Sequence, residues 1–276
     1  MEAALVQKKR IRGPVGAGLF YPEDKNEILD YFRSFGFEEG GNAQAIIAPH
    51  GAWSYSGTLA ANAFFSAAGR CEKVRRVVLL GPIHDKREKG LFLSNSHSFY
   101  TPLGNIPVDH EISEELKFNS NYIEINDIPH LAEHSIEILL PFVKYCFPNA
   151  SIVPILMGQP KVQYIYDLAQ ALKTVITSIL DETLIVVSCN LSCDVNRNTA
   201  LLSAEECIRL FTEKNASALA SGILDGRLNA CGSALVLSLF ESGLLDRTQS
   251  CSVSGDLISA VGAENNTVYY SEFSYV

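Results

Sequence analysis

Two short runs of aliphatic and β-branched residues constrain the fold most strongly, because each ends in a histidine. The run over 43–50 ends in His50, and the run over 76–84 ends in His84. Runs whose two alternating faces are both apolar are typical of strands buried in a parallel sheet. Sites in open α/β sheets lie beyond the carboxyl ends of such strands. The sequence therefore places both histidines where a binding or active site is expected.

A third side chain that could bind a metal together with the two histidines comes late in the chain. Cys231 stands where a helix over 233–245 is predicted to begin. Two imidazoles and one thiolate are borderline-to-soft ligands, which suit iron(II) or copper, suit zinc less well, and disfavour magnesium and calcium. Taken singly, each histidine is better explained by a hydrogen bond at a strand end. The spacing alone does not decide between these interpretations.

Strand-like and helix-like segments alternate along the whole chain, and this alternation predicts the fold class. Further buried strands are predicted over 151–157 and 184–187, and helices over 24–35, 162–180 and 203–221. Strands separated by crossover helices form α/β folds with a largely parallel core. We therefore expect one α/β domain over 1–276, with a central mostly parallel sheet flanked by helices and a loosely packed N-terminal segment, 1–17. In the strand over 267–275, residues 268, 270, 272 and 274 alternate with residues 269, 271, 273 and 275, so one of its two faces is expected to be exposed to solvent.

Charge and cysteine content exclude several classes of function. The 276 residues carry a net charge of −9, and their one basic cluster, Lys8–Arg12, is expected to be a solvated tail. Nucleic-acid binding is not expected, because phosphate binding needs a basic face. Association with a membrane is not expected either, since the apolar stretches are too short to span a bilayer and no signal peptide is evident. Seven irregularly spaced cysteines without a CxxC pair indicate reduced thiols in the cytoplasm.

Six stretches together resemble the Memo family, which shares its fold with the catalytic subunits of class III extradiol ring-cleaving dioxygenases. In chain order they are Ala45–Gly57, Leu80–His84, Tyr100–Gly104, Glu133–Phe142, Ile152–Gly158 and Ala230–Gly232. The Glu-His-Ser-Ile-Glu sequence that opens the fourth stretch is the most specific. The resemblance implies a class III extradiol dioxygenase-like fold and a metal held by His50, His84 and Cys231. It also implies that His134 lies beside these ligands.

The chain departs from the family around the expected pocket. After the strand over 184–187 the family usually reads Ser-Ser-Asp-Leu-Ser-His, whereas residues 188–193 here read Ser-Cys-Asn-Leu-Ser-Cys. The family histidine aligns with the base of the ring-cleaving enzymes, and Cys193 stands in its place. Because a buried neutral thiol cannot accept the proton, we expect no useful ring cleavage. Trp53, Asn190 and Cys193 are the expected pocket residues, and His134 and Cys193 the candidate catalytic ones.

Alternatives remain for these pocket residues. Trp53, the only tryptophan, either walls a ligand pocket or caps the core. Cys193 is either a small buried hydrophobe, a fourth metal ligand or a redox partner of Cys189. His134 either closes the start of a helix or contacts the substrate or the ligands.

Two functional hypotheses follow for the whole chain. The first is a metal-binding protein with redox or oxidoreductase chemistry at His50, His84 and Cys231, acting on a small molecule or a peptide. The second is a non-catalytic scaffold that binds a peptide or protein in a vestigial pocket, in which case the metal is absent. The sequence does not decide whether the chain is an enzyme, and it does not give the oligomeric state.

Overall fold

The computed structural model describes residues 10–36, 40–261 and 266–276. The strands are β1 Ile11–Arg12, β2 Ala45–Ala48, β3 Arg76–Pro82, β4 Leu91–Leu93, β5 Ser98–Phe99, β6 Ile106–Pro107, β7 Ile123–Ile125, β8 Ser151–Met157, β9 Thr183–Ser188, β10 Ser192–Asp194, β11 Cys251–Val261 and β12 Thr267–Tyr275. The α-helices are α1 Lys25–Arg33, α2 Trp53–Phe65, α3 His110–Phe118, α4 Ile128–Ala132, α5 Leu140–Cys146, α6 Val162–Ile176, α7 Arg197–Thr212, α8 Ala216–Leu224 and α9 Ser233–Glu241. Short 3-10 helices cover Ala68–Arg70, Glu137–Leu139 and Thr177–Glu182.

The main sheet is mixed, with a parallel centre. Its strands follow the order β10-β12-β2-β9-β3-β8-β4-β7, and β11 pairs with β12 beside that path. The four strands β2, β9, β3 and β8 are parallel neighbours, whereas β12 joins β2 and β4 joins β8 in antiparallel fashion. A small separate sheet contains β1, β5 and β6. The predicted α/β class is confirmed, and the parallel pairing is concentrated in the centre of the sheet.

Alternate side chains of the central strands enter two separate hydrophobic cores. Ile47 of β2 lies in the core that contains Leu168 of α6, and both side chains are fully buried. Its neighbour Ile46 points to the opposite face, into the core that contains Phe64 of α2. Successive side chains of a strand point to opposite faces, so a strand buried on both sides must be apolar throughout. Helices therefore cover both faces and leave the carboxyl edge of the sheet for a site.

The expectation of a wet face on the last strand is wrong. Residues 268–275 of β12 are all buried. Helices α2 and α7 both pack against this strand, so it is covered on its two sides. The polar side chains of the supposed wet face are accommodated by hydrogen bonds, as where the Ser274 and Ser252 hydroxyls lie 2.8 Å apart.

The helix predicted over 203–221 is two helices, α7 and α8. The chain breaks between them at Lys214, whose φ of 51° lies in the left-handed region. Asn215 then caps α8, since its side chain accepts a hydrogen bond from the backbone N–H of Ala218 at 3.1 Å. Within the described ranges, no helix is long and apolar enough to cross a membrane.

The N-terminal segment is described from residue 10 onward, and there it packs against the domain. Arg12, expected in a solvated tail, is instead buried and forms an ion pair with the buried Glu137. Its guanidinium also donates to the backbone carbonyls of His130 at 2.9 Å and Glu133 at 2.8 Å. The Glu137 carboxylate further accepts the N–H of Gly16 at 2.7 Å. The expectation is wrong for Arg12, because a long-range carboxylate and two carbonyls satisfy its charge inside the protein.

Candidate metal centre

Three elements bring the predicted ligands together at the carboxyl edge of the sheet. His50 follows β2 and His84 follows β3, and β9 lies between these two parallel strands. Cys231 lies in the turn immediately before α9. One ligand atom from each of the three side chains lies within 4.8 Å of the other two. The structure therefore assembles a group that could hold one metal ion.

The hydrogen bonds of Ser188 determine which nitrogen of His50 faces this group. The Ser188 hydroxyl donates its single proton to the carbonyl oxygen of Ser135, at 2.7 Å. It must therefore accept a hydrogen bond from His50 Nδ1, which lies 2.6 Å away. His50 Nε2 is left facing the sulfur of Cys231 at 3.4 Å. This is the nitrogen available to a metal.

The carboxylate of Glu133 has the same effect on His84. Its Oε1 lies 3.0 Å from His84 Nδ1, and its Oε2 accepts the backbone N–H of His84 at 2.7 Å. Burial opposes the charge of Glu133, but hydrogen bonds and the positive charge of His84 outweigh it and lower its pKa to about 2. Burial also opposes the charge of His84, but hydrogen bonds to Cys231 and Glu133 raise its pKa to about 10. An ionised carboxylate makes Nδ1 the donor, so His84 turns Nε2 toward the other ligands.

Cys231 is exposed as a residue, and its sulfur lies 3.4 Å from His50 Nε2. A hydrogen bond from Cys189 lowers its pKa well below the usual range of a thiol, and the charge of His50 lowers it further against the effect of burial. The backbone N–H of Asn190 also donates to this sulfur, at 3.3 Å. These contacts stabilise the thiolate, which is the form that binds metals.

A second group of possible ligands, His84, Glu133 and His134, is also close together. The Glu133 carboxylate, however, accepts the backbone N–H groups of His84, His134 and Ser135. Because these donors and His84 Nδ1 already occupy its oxygens, Glu133 orients the loop and the ligand histidine. We therefore regard it as a support for the first group.

His134 lies directly beside the ligands, as the resemblance implied. Its ring stacks on that of His84 at a centroid distance of 4.8 Å and meets that of His50 edge-on at 6.1 Å. On its other face Phe20 stacks at 4.8 Å. Burial lowers the pKa of His134 to about 4, so the ring is neutral at pH 7. Its Nδ1 lies 3.3 Å from Glu133 Oε1, which favours a proton on Nδ1 and leaves Nε2 as an acceptor.

Asn190 connects two of the ligands through three hydrogen bonds. Its side-chain oxygen accepts the backbone N–H of His50 at 3.0 Å. Its own N–H donates to the Cys231 sulfur, and its carbonyl accepts the backbone N–H of Cys231 at 3.3 Å. The predicted pocket residue is thus part of the frame that positions His50 and Cys231.

A cavity of about 340 Å³ opens beside the ligands. Its lining includes His84, Cys231, Lys86, Asn229, Leu228 and Leu235, but not Trp53, Asn190 or Cys193. Trp53 instead packs in the hydrophobic core and donates its indole N–H to the carbonyl of Ile138 at 3.3 Å. Aromatic rings surround the side chain, among them Phe142 at 4.6 Å. Trp53 also lines a second cavity of about 550 Å³, together with Phe20 and Tyr31. Trp53 therefore both caps the core and walls a cavity, which is separate from the one beside the ligands.

Cys193 is not among the ligand groups found in the described residues. It lies on β10 and pairs with Val268 of β12, and β12 separates β10 from β2. Its sulfur therefore lies outside the group formed by His50, His84 and Cys231, and a fourth ligand at Cys193 has no support in the geometry. Cys193 is exposed, so the alternative expectation of a small buried hydrophobe is wrong.

The chemistry of the three ligand atoms suits a metal ion, and so does the distance between two of them. Ligands bound at about 2.0–2.3 Å in tetrahedral geometry lie roughly 3.5 Å apart. The distance of 3.4 Å from His50 Nε2 to Cys231 Sγ matches this spacing. Imidazole nitrogens and a thiolate form a donor set for transition metals, without the oxygen ligands that calcium and magnesium require.

Sequence reasoning missed the role of Ser188 and the contact between Phe20 and His134. Ser188 ends β9, the strand between the two histidine-bearing strands, and a hydroxyl at that end could have been recognised as a partner for a ring nitrogen. Phe20 comes from a segment far away in the sequence, so no local pattern indicated its stacking on His134.

Comparison with known proteins shows the family to which the chain belongs. The family model of the Memo-like proteins matches residues 12–266. A MEMO1 family protein of Thermotoga neapolitana is 31% identical over 271 residues, which cover 91% of this chain and 97% of the relative. MEMO1 family proteins of Nitrosopumilus maritimus and Methanobrevibacter smithii are 29% and 28% identical, with the same two coverages. The matched residues include all three candidate ligands, and the chain belongs to the Memo family.

Proposed function

We propose that this chain is a metal-binding protein in which His50, His84 and Cys231 hold iron(II) or copper. The observation that carries the proposal is the convergence of three ligand atoms within 4.8 Å, with both Nδ1 atoms engaged elsewhere. Zinc also accepts nitrogen and sulfur ligands and is the second choice. When bound, iron or copper supplies Lewis-acid and redox chemistry to a molecule in the adjacent cavity.

The protein's own residues provide binding and proton handling in this proposal. His134 Nε2 is placed to accept a hydrogen bond or a proton from a molecule held over the ligands, while Phe20 covers one face of its ring. Lys86 lines the cavity and is exposed, which favours a small molecule with an anionic group or the carboxylate end of a peptide. The apolar side chains of Leu228 and Leu235 would hold the rest of that ligand.

The proposed setting is the cytoplasm. All seven cysteines are free thiols in the structure. Reduced thiols persist where the glutathione and thioredoxin systems operate, and a thiolate ligand requires such an environment.

A non-catalytic scaffold is the second candidate function. The cavity beside His84 combines the cationic side chain of Lys86 with apolar walls, and these would bind a peptide end whether or not a metal is present. Ring cleavage is not expected in either case, because Cys193 replaces the family base and lies outside the ligand group.

Titration of metal-free protein with cobalt(II) under anaerobic conditions tests the proposal. Cobalt(II) bound to a thiolate gives a charge-transfer absorption band, so we expect this band in the wild type and its loss in Cys231→Ser. Cys71→Ser, which changes a thiol away from the site, is the matched control and should keep the band. A wild type without the band, together with peptide binding that is unaffected by metal, would favour the scaffold.

A further inference from the structure

A second thiol lies behind the metal-binding cysteine. Cys189 directly follows β9 and is fully buried. Its sulfur lies 3.4 Å from the carbonyl oxygen of Asn190, and the Cys231 sulfur lies 3.7 Å from the same oxygen. Both cysteines are free thiols in the structure. The site therefore contains two thiols that contact one carbonyl oxygen.

The backbone segments that carry Cys189 and Cys231 lie close together. A β-carbon placed on Gly232 would lie 2.7 Å from the β-carbon of Cys189 and 3.0 Å from its sulfur. The backbone N–H of Cys231 is hydrogen-bonded to the carbonyl of Asn190, so the two cysteine-bearing segments are held together. A disulfide requires β-carbons about 3.5–4.5 Å apart, and two segments in backbone contact can meet that requirement.

Cys189 has no part in the proposed metal site. Neither group of close ligand atoms in the described residues contains it. At the position of Cys189 the family usually has serine, which occupies similar space without a thiol. The thiol beside Cys231 is therefore a feature that metal binding does not require.

We propose that Cys231 and Cys189 form a dithiol redox site that reacts with hydroperoxides. Cys231 lines the cavity, so an oxidant can reach its sulfur, whereas Cys189 is closed off from solvent. An accessible thiolate beside a buried partner is the arrangement of an attacking and a resolving cysteine. The substrate class is a small hydroperoxide, with hydrogen peroxide as the simplest member.

Two steps give a balanced reaction. In the first, the Cys231 thiolate attacks one peroxide oxygen: an S–O bond forms, the O–O bond breaks, and the other oxygen leaves as alcohol or water after taking up a proton. In the second, the Cys189 sulfur attacks Cys231: the S–S bond forms, the S–O bond breaks, and hydroxide leaves as water with the Cys189 proton. Two thiols lose two electrons in total, and the hydroperoxide gains them.

The disulfide would also regulate the metal site. Once Cys231 is bonded to Cys189, its sulfur is no longer a thiolate ligand, and only His50 and His84 remain. We therefore expect one metal ion to be released for each disulfide formed. This consequence rests on the proposed metal-binding function, whereas the disulfide itself does not.

Peptide mass spectrometry of metal-free protein tests the dithiol site. Trypsin places Cys189 and Cys193 in the peptide 174–197 and Cys231 in the peptide 228–247. After treatment with a several-fold molar excess of hydrogen peroxide, we expect these peptides to be cross-linked in the wild type and in Cys193→Ser. In Cys189→Ser we expect no cross-link and accumulation of sulfinic acid at Cys231. Absence of the cross-link in the wild type, or its persistence in Cys189→Ser, overturns the proposal.

A second arm separates this inference from the proposed function. Cobalt-loaded protein receives the same peroxide dose, and released cobalt is measured before and after reduction with dithiothreitol. We expect reversible release from the wild type and irreversible loss from Cys189→Ser. Wild-type protein that never binds cobalt but forms the cross-link contradicts only the proposed function. Protein that binds cobalt but forms no cross-link contradicts only the dithiol site.

Discussion

At the residue scale, hydrogen bonds to the Nδ1 atoms determine which nitrogens face the metal. Ser188 takes this role for His50 and Glu133 takes it for His84. Such partners fix the tautomer and ring orientation of a ligand histidine and raise its basicity. Ser188 and Glu133 touch no metal ion themselves, yet the geometry of the site depends on them.

Removal of the Glu133 charge should weaken metal binding. An amide at this position accepts fewer of the N–H groups now directed at the carboxylate and makes His84 a poorer ligand. We expect Glu133→Gln to lower metal affinity by about 10–100-fold. Isothermal titration of the metal-free protein measures the change, with the exposed Glu124→Gln as the matched control. Equal affinities in the two variants would show that Glu133 does not support the ligand.

His130 makes stability depend on pH. This side chain is buried, and burial lowers its pKa from 6.5 to about 4. Between these values the unfolded state binds more protons, so stability is complete above pH 6.5 and falls as the pH falls toward 4. The wild type should lose on the order of 2 kcal/mol between pH 7 and pH 5 through this residue.

Denaturant unfolding at the two pH values checks this prediction. The loss should be smaller by about that amount in His130→Gln, because glutamine does not titrate. The exposed His110→Gln should behave as the wild type. Identical pH dependence in all three proteins would mean that His130 is not the residue responsible.

At the scale of elements, one buried ion pair holds the N-terminal segment over the site. Arg12 on β1 meets Glu137, and Glu137 in turn accepts the backbone N–H of Gly16 and the hydroxyl of Tyr21 at 3.0 Å. The same segment carries Phe20, which stacks on His134. Glu137, the second glutamate of the Glu-His-Ser-Ile-Glu sequence, therefore has a structural role: it holds the N-terminal segment against the site.

Loss of the Arg12 charge should be costly. Arg12→Met leaves Glu137 charged and buried without its partner, and breaking one side of a buried pair costs about 3–5 kcal/mol. Arg10→Met removes the exposed pair with Asp127 and should cost less than about 1 kcal/mol. Chemical denaturation of both variants gives the comparison. Similar small losses for the two would indicate that the buried pair contributes little.

The positions of the elements were predictable to different degrees. The strand over 151–157 follows from its local apolar pattern, and the structure has it at those bounds. The break between α7 and α8 at Lys214 could not be predicted, because one residue in the left-handed conformation does not change the apolar pattern of the sequence. The buried second face of β12 did not follow either, since it depends on helices that are distant in sequence.

At the scale of the whole molecule, strand order creates the site. The neighbouring parallel strands β2, β9 and β3 end at one edge, and the loops that follow them carry His50, Asn190 and His84. The apolar runs predicted both histidines at strand ends, but no local pattern predicted that Cys231 would reach them. That contact depends on where the turn before α9 lies, which long-range packing determines and which only the family resemblance anticipated.

The central claim is that three side chains hold one metal ion, and a measurement of metal content tests it most directly. Protein purified anaerobically is offered iron(II), copper(I) and zinc(II) together, and bound metal is quantified by elemental analysis. We expect one iron or copper ion per chain in the wild type and in the control His97→Ala, whose histidine is exposed and far from the site. We expect loss of that ion in His84→Ala and in Cys231→Ala. A wild type without bound metal, or ligand variants that retain it in full, would contradict the account.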